Sequence, residues 1–214
     1  MTANSFKLKY WGNSEDGLLK INPYTGRELE FLGKLMKKLS LHIKYDLYIM
    51  PSGIGTLDTS LLPNYYHDVS DKYDFMIFTL VNLNGKRVRW PLVYIDVTGS
   101  KYSDKESEER YGKPMDAILK TKVDVAFKYS VAGRVYFVLS IDKEDKFRVI
   151  TALQVMNLYK KGIAKLDSFE EGGKTPYYLI PRDQWKPFKE LIVGIKNWYS
   201  TISEEFMYRV SRKW

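Results

Sequence analysis

The sequence has 214 residues, of which 44% are apolar, so it can form a sizeable core. Its length predicts a single domain that spans residues 1–214. It contains no cysteine and only two histidines, which excludes disulfides and cysteine-based zinc sites and leaves carboxylates and carbonyls as metal ligands. The net charge of +8 suits a polyanionic partner or, equally well, a lysine-rich solvated surface, and no apolar run approaches the roughly 20 residues of a membrane span.

A helix and a strand are predicted early in the chain. Apolar residues at helical spacing, with lysines off that stripe, predict a helix over Tyr24–Leu39. Alternation of apolar and polar residues predicts a strand over Ile43–Met50. The segment 51–72 is rich in small polar residues and long for a structureless connection, so we expect a functional or partner-binding loop there.

A β-hairpin is the clearest unit in the sequence. Its predicted strands, Tyr73–Val81 and Val88–Thr98, are joined around Asn84-Gly85, a dipeptide typical of tight hairpin turns. Pro91 interrupts the second strand, which indicates either an edge position or a bulge.

A polar segment over residues 99–113 precedes a second predicted helix, at about Pro114–Tyr129. Apolar residues at helical spacing form one face of this helix. Four charged residues form a stripe on another face, which we expect to be solvated, with ion pairs between them. These four residues are Asp116, Lys120, Asp124 and Lys128.

The last third of the chain contains further strands and a final helix. Arg134–Ile141 is predicted to be a buried strand, and Thr175–Ile180 a short one ended by proline. Lys146–Leu158 fits a hairpin partner or a helix, and periodicity does not separate the two. The final helix is predicted over about Pro187–Val210.

Two aspartates in the hairpin are the candidate chemical centre. Asp74 lies near the start of the first strand and Asp96 near the end of the second, each among apolar neighbours. A carboxylate in such a strand costs stability unless it is paired or bound to metal. Carboxylates on adjacent strands are well placed to hold Mg²⁺ or Mn²⁺ near a scissile phosphate, where the ion activates water and offsets negative charge.

The register of the hairpin decides whether these two carboxylates can cooperate. A strict two-residue turn at Asn84-Gly85 would place Asp74 opposite Ile95, and the acids would point to opposite faces. A three-residue turn centred on Gly85, or a bulge at Pro91, would place Asp74 opposite Asp96. We predict the second register.

The order of elements and the paired aspartates resemble the PD-(D/E)xK nuclease superfamily, which includes restriction enzymes and archaeal Holliday-junction resolvases. The composition also resembles the nuclease-like proteins of spindle-shaped archaeal viruses. This resemblance implies an α/β fold with a restriction-endonuclease-like core, a mixed central sheet flanked by helices, at about residues 24–141, followed by a C-terminal strand and helix. It also implies DNA, duplex or branched, as the partner and substrate, a homodimer, and no small-molecule cofactor.

The resemblance assigns roles to individual residues. Asp74 matches the first aspartate of the family and Asp96 the second acid, so both are implied metal ligands. Glu28, on the opening helix, matches the glutamate that often assists, although a capping-box role explains it as well.

The family's lysine is missing from its usual place. The position two residues after the second acid is Thr98, and a hydroxyl does not supply positive charge. Lys101 is one candidate replacement. Lys122 is the other candidate. It lies on the apolar side of the predicted helix, so its side chain either extends along that side to the surface or points at a site.

Three functional hypotheses follow. The first is a metal-dependent nuclease that hydrolyses phosphodiester bonds in DNA, with Asp74, Asp96, Glu28 and Lys101 or Lys122 as its catalytic residues. The second is a nuclease-fold protein that binds nucleic acid without cutting it, and the third is a structural or assembly protein. With no secretory signal at the N-terminus, we expect the protein in the cytoplasm, that of the host cell if the protein is viral.

Overall fold

The structure, a computed structural model, describes residues 30–37, 47–51, 72–83, 86–100, 103–141, 146–169 and 175–211. Within these ranges, no helix is both long and apolar enough to cross a membrane. The predicted loop at 51–72 and the first parts of the predicted early helix and strand lie almost entirely outside the described residues.

The described strands form two sheets, and helices pack around them. The strands are β1 Tyr48–Pro51, β2 Phe75–Leu83, β3 Lys86–Ser100, β4 Met115–Leu119, β5 Val135–Ile141, β6 Lys146–Thr151, β7 Lys165–Phe169, β8 Thr175–Pro181 and β9 Lys186–Pro187. The helices are α1 (residues 30–37), α2 Asp104–Tyr111, α3 Lys120–Lys128, α4 Ala152–Lys160 and α5 Lys189–Ser211.

The larger sheet has the strand order β1-β2-β3-β5-β6-β9, and the smaller has the order β4-β8-β7. In the larger sheet β3 and β5 are parallel and the other pairs are antiparallel. The mixed α/β fold that the resemblance implied is therefore confirmed. The sheet also takes in β6 and β9, which lie beyond residue 141 in the chain.

Each face of the larger sheet carries its own core, because successive residues of a strand point to opposite faces. On one face, Met76 and Phe78 of β2 belong to a cluster with α3, α4 and the smaller sheet. On the other, Phe75 and Ile77 belong to a cluster with α1 and α5. The first of these faces receives the candidate site.

The β2–β3 hairpin has the predicted register at its open end. Near the turn the strands pair as Leu83↔Lys86, which fits a two-residue connection. The register then shifts by one residue between Ile77 and Phe78, opposite the stretch that contains Pro91. Of the two routes to the predicted register, the bulge is right and the three-residue turn is wrong. The edge position expected for Pro91 is confirmed as well, because the ladder between β3 and β5 begins only at Tyr94, and at Pro91 the strand pairs with β2 alone among the described residues.

The predicted helix at 114–129 is wrong in its first third. Met115–Leu119 is a strand that pairs with β8, and the helix begins at Lys120. The predicted charged stripe is broken with it: Lys120 and Asp124 form an ion pair on α3, whereas Asp116 is buried in β4. Long-range strand pairing has overridden a helical spacing of apolar residues.

Two other segments resolve what the sequence left open or missed. The polar segment 99–113 contains α2, whose start is a capping box formed by Ser103 and Glu106. Lys146–Leu158 contains both a hairpin partner, β6, and a helix, α4, which begins at a capping box on Thr151. The Ser-x-x-Glu spacing was a readable signal for α2.

Candidate metal centre and active site

Asp74 and Asp96 are both buried and lie at the same end of the hairpin. Asp74 immediately precedes β2 and is 7% exposed, and Asp96 is 4% exposed. The pair Phe75↔Ile95 is the last step of the ladder, and the same register continued by one residue sets Asp74 opposite Asp96. The backbone N–H of Val97 donates to Oδ2 of Asp74 at 2.6 Å, which holds the first carboxylate against the residue that follows the second.

Asp96 forms an ion pair with Lys122, which lies in the first turn of α3. The ammonium Nζ of Lys122 donates to Oδ1 of Asp96, and the Lys122 side chain is 32% exposed. Burial raises the pKa of Asp96, and the charge and hydrogen bond of Lys122 oppose that rise without cancelling it. Asp96 is therefore a desolvated carboxylate whose anionic form is only partly compensated, a state that a bound cation would stabilise.

Tyr73 connects the two sides of this centre. Its side chain is 1% exposed, and its hydroxyl donates to the backbone carbonyl of Lys122 at 2.8 Å. Burial and the nearby Asp96 charge raise the pKa of Tyr73 well above its usual range. The sequence did not predict a role for Tyr73, because no local pattern indicates a contact with Lys122, 49 positions away.

The other predicted site residues are not brought together within the described residues. Glu28 and Lys101 lie outside them, so their roles stay predictions. Glu30, the neighbouring acid of α1, is exposed and paired with Lys34 at 2.6 Å. Thr98 lies two residues after Asp96 in β3 and is half-buried.

The two aspartates form a minimal donor set for a hard divalent cation. Two buried carboxylates on adjacent strands offer the oxygen ligands that Mg²⁺ and Mn²⁺ prefer. Among the described residues no three His, Cys, Asp or Glu side chains converge. Mg²⁺ is usually bound by one or two carboxylates together with water and substrate phosphates, so two aspartates are sufficient protein ligands.

A second buried polar cluster was also missed by the sequence reasoning. The guanidinium of Arg182, 1% exposed, forms two bonds to Asp116, Nε–Oδ2 at 2.7 Å and Nη2–Oδ1 at 2.8 Å. It also donates to Asp104 at 2.8 Å and to Ser100 at 3.0 Å. Burial lowers the pKa of Arg182, but the bonds and charges of the two aspartates outweigh burial and raise it. This cluster fastens the end of β3, α2 and the smaller sheet to one another.

The chain is an α/β protein with two buried carboxylates at the end of a central hairpin, and its fold is similar to that of a nuclease of known structure. A solved nuclease from a fusellovirus is similar over 86% of this chain and 99% of that chain, with 34% identity and a TM-score of 0.66. A Holliday junction resolvase from Archaeoglobus fulgidus aligns over 78% of this chain and 93% of its own, with 11% identity and a TM-score of 0.37. The second likeness is too distant to bear on function.

The chain belongs to the viral/archaeal nuclease family, whose model matches residues 5–193. It is also 41% identical over 209 residues to an uncharacterized protein of Sulfolobus spindle-shape virus 1, an alignment that covers 95% of this chain and 84% of that protein. The resemblance drawn from the hairpin and its acids is thereby confirmed at the level of the family.

Proposed function

We propose that the protein is a metal-dependent endonuclease that hydrolyses phosphodiester bonds in DNA. In this proposal Asp74 and Asp96 are the metal ligands and Lys122 is the positive group at the scissile phosphate. The single observation that carries it is the ion pair between Lys122 and Asp96, which brings an ammonium group to the carboxylate pair of a nuclease-family protein.

Each residue has a defined task in this proposal. Asp74 and Asp96 would hold Mg²⁺ or Mn²⁺ through their carboxylate oxygens, and the backbone N–H of Val97 orients the Asp74 carboxylate. When bound, the ion activates water and offsets the charge that develops on the phosphate. Lys122, one-third exposed, can reach a phosphate oxygen at the protein surface while its Nζ stays near Asp96. A fixed cation at that point stabilises the transition state because little solvent has to reorganise around it.

For the role of the family's lysine, Lys122 is favoured over Thr98, which occupies the usual position, and over Lys101. Thr98 has a hydroxyl, which offers a hydrogen bond and no charge. Lys101 has the required charge and lies outside the described residues. Lys122 has both the charge and a direct contact with Asp96, which supports it as the replacement. Glu28 stays a prediction as the assisting acid.

Cleavage assays on supercoiled plasmid, linear duplex and synthetic four-way junctions test the proposal. We expect cleavage with Mg²⁺ or Mn²⁺ and none with a chelator. Asp74→Asn and Asp96→Asn should each abolish it, because an amide is a weaker metal ligand than a carboxylate and carries no charge. Cleavage that persists in a chelator, or in both variants, would refute the metal role of the aspartates.

The lysine assignment has a matched control on the same helix. Lys122→Met should lower the cleavage rate by about 10²-fold or more, as loss of one preorganised stabilising group does. Lys120→Met removes a lysine of the same first turn, which is paired with Asp124 instead, and should leave the rate near that of the wild type. If Lys101→Met abolishes cleavage and Lys122→Met does not, Lys101 is the replacement.

The same assays separate cutting from binding alone. A protein that shifts DNA with strong salt dependence, but never cuts it under any metal condition, would be the nuclease-fold binder of the second hypothesis. In that case the affinity for DNA should change neither with added metal nor with Asp96→Asn. Homodimer formation, which the resemblance implies, stays a prediction that light scattering in solution measures.

A further inference from the structure

Tyr73 lies at the junction of the two strands and the helix that build the candidate centre. It directly precedes Asp74 in the chain, and its ring packs against that of Tyr94 with 6.0 Å between centroids. Its hydroxyl donates to the carbonyl of Lys122, so one side chain links the start of β2 to the first turn of α3. The contact is made to the backbone of the same residue whose side chain pairs with Asp96.

The start of α3 is weakly fixed by local interactions. Its N-cap residue, Leu119, makes no side-chain capping hydrogen bond, unlike Ser103 at α2 and Thr151 at α4. An uncapped helix end leaves backbone donors without helical partners, and such ends fray more readily. The carbonyl oxygen of Lys122 has two lone pairs and can accept the Tyr73 hydroxyl in addition to a helical N–H. The tyrosine therefore adds a restraint on the first turn of α3 from another element, beside the pairing of Leu119 with Tyr177 that holds the residue before the helix.

We infer that Tyr73 is a positioning residue, whose hydroxyl fixes the backbone of Lys122 so that the ammonium group stays at Asp96 and the scissile phosphate. This inference rests on the proposed function, in which Lys122 acts on the phosphate. A lysine side chain has four rotatable bonds and no rigid shape, so its placement depends on where its Cα is held. A displacement of about 1 Å at a reacting group can cost as much as 10²-fold in rate.

The variant Tyr73→Phe tests the inference because it removes one oxygen and keeps the ring in the core. We expect kcat to fall by about tenfold, with KM for DNA little changed, since geometry at the phosphate is lost and the binding surface is kept. Tyr136→Phe is the matched control: Tyr136 is also buried, but it belongs to the core on the opposite face of the sheet. An unchanged kcat in Tyr73→Phe would overturn the inference.

A double-mutant cycle separates positioning from a general effect on the fold. If Tyr73 acts through Lys122, Tyr73→Phe should have no further effect on the cleavage rate in a Lys122→Met background. If it acts only by stabilising the core, it should lower the rate by the same factor in both backgrounds. Equal factors would overturn the inference.

A measurement that needs no cleavage distinguishes failure of the inference from failure of the proposed function. Reductive methylation followed by mass spectrometry reports how accessible each lysine amine is in the intact protein. Tyr73→Phe should raise the methylation rate of Lys122 and leave that of Lys120 unchanged. If the wild type cuts no DNA, the proposed function fails, while this measurement still supports or overturns the placement of Lys122 by Tyr73. Unchanged methylation of Lys122 would overturn it.

Discussion

Asp96 is a buried carboxylate whose negative charge is costly to the stability of the folded protein. It is almost fully buried, and burial raises its pKa even though Lys122 is in contact with it. A raised pKa means that the folded protein binds the proton of this carboxyl more tightly than the unfolded chain does. The stabilising contribution of the protonated form is complete at low pH and is lost as the pH rises through the folded-state pKa.

Asp96→Asn is therefore expected to raise the thermal stability of the metal-free protein near neutral pH. Asparagine is close in size and has no charge to bury, and the released Lys122, one-third exposed, can be solvated. The gain should shrink as the pH falls into the range where Asp96 itself becomes protonated. Thermal unfolding of both proteins across a pH series, in the presence of a chelator, measures this difference.

Two comparisons sharpen that experiment. Asp124→Asn removes an exposed carboxylate that pairs with Lys120, and its effect on stability should be small at every pH because surface ion pairs contribute little. Added Mg²⁺ or Mn²⁺ should stabilise the wild type and not Asp96→Asn, if the ion binds the folded state alone. A variant that is less stable than the wild type at neutral pH would show that the ion pair outweighs the cost of burial.

At the scale of elements, the hairpin could be predicted because its signals are local. Alternation of apolar residues and the Asn84-Gly85 dipeptide fix two strands and a turn within one short stretch. The register at the acids was also predicted, although the choice between a longer turn and a bulge depended on packing around Pro91. Local patterning therefore gave the candidate carboxylates and their neighbourhood.

The smaller sheet and its contacts could not be predicted in the same way. Met115–Leu119 has apolar residues that fit a helix, and only its pairing with β8, 58 to 66 positions later, makes it a strand. The bonds of Tyr73 to Lys122 and of Arg182 to Asp116 span 49 and 66 positions. A single sequence, taken without an alignment, contains no signal for such distant partners. The choice between Lys101 and Lys122 as the lysine of the candidate site therefore stayed open.

Helix α5 contributes a prediction about packing between elements. Gly194, on this helix, meets the hydroxyl of Tyr136 from β5 so closely that an added Cβ would overlap it. Gly194→Ala should destabilise the protein by about 1–3 kcal/mol, the usual cost of an extra methyl group in a packed interface. Urea unfolding measures the loss. Tyr136→Phe in the same chain should recover part of it, because the nearest clashing atom is the hydroxyl oxygen.

The matched control is the glycine of α1. A Cβ added at Gly33 meets nothing within 4 Å. Gly33→Ala should therefore be neutral or stabilise by up to about 1 kcal/mol, because alanine has the higher helix propensity and limits the unfolded chain. A loss at Gly33 as large as the loss at Gly194 would contradict this account, because helix propensity favours alanine at Gly33 and no neighbouring atom opposes it.

At the scale of the whole molecule, the Arg182 cluster is the polar link between the two sheets. Asp116 lies in β4 and Arg182 directly follows β8, another strand of the smaller sheet, while Ser100 ends β3 of the larger one. Arg148 of β6 adds a bond from its Nη1 to the carbonyl oxygen of Arg182 at 3.1 Å. The cluster thus ties the strand that carries Asp96 to a sheet that packs against α3, which carries Lys122.

Arg182→Met is expected to cost about 3–5 kcal/mol in the free energy of unfolding, because it leaves the Asp116 carboxylate buried without its guanidinium partner. Urea denaturation measures the loss. The double variant Arg182→Met, Asp116→Leu should regain most of it, since two apolar groups of similar size leave no buried charge. Arg148→Met, at a half-buried arginine of the same cluster, should cost less, about 1 kcal/mol, because its hydrogen bond to the Arg182 carbonyl and its ion pair with the half-exposed Asp104 each contribute modestly. Should the double variant stay as unstable as Arg182→Met, the loss would come from packing around the arginine stem, and the charge pair would have no special part in joining the sheets.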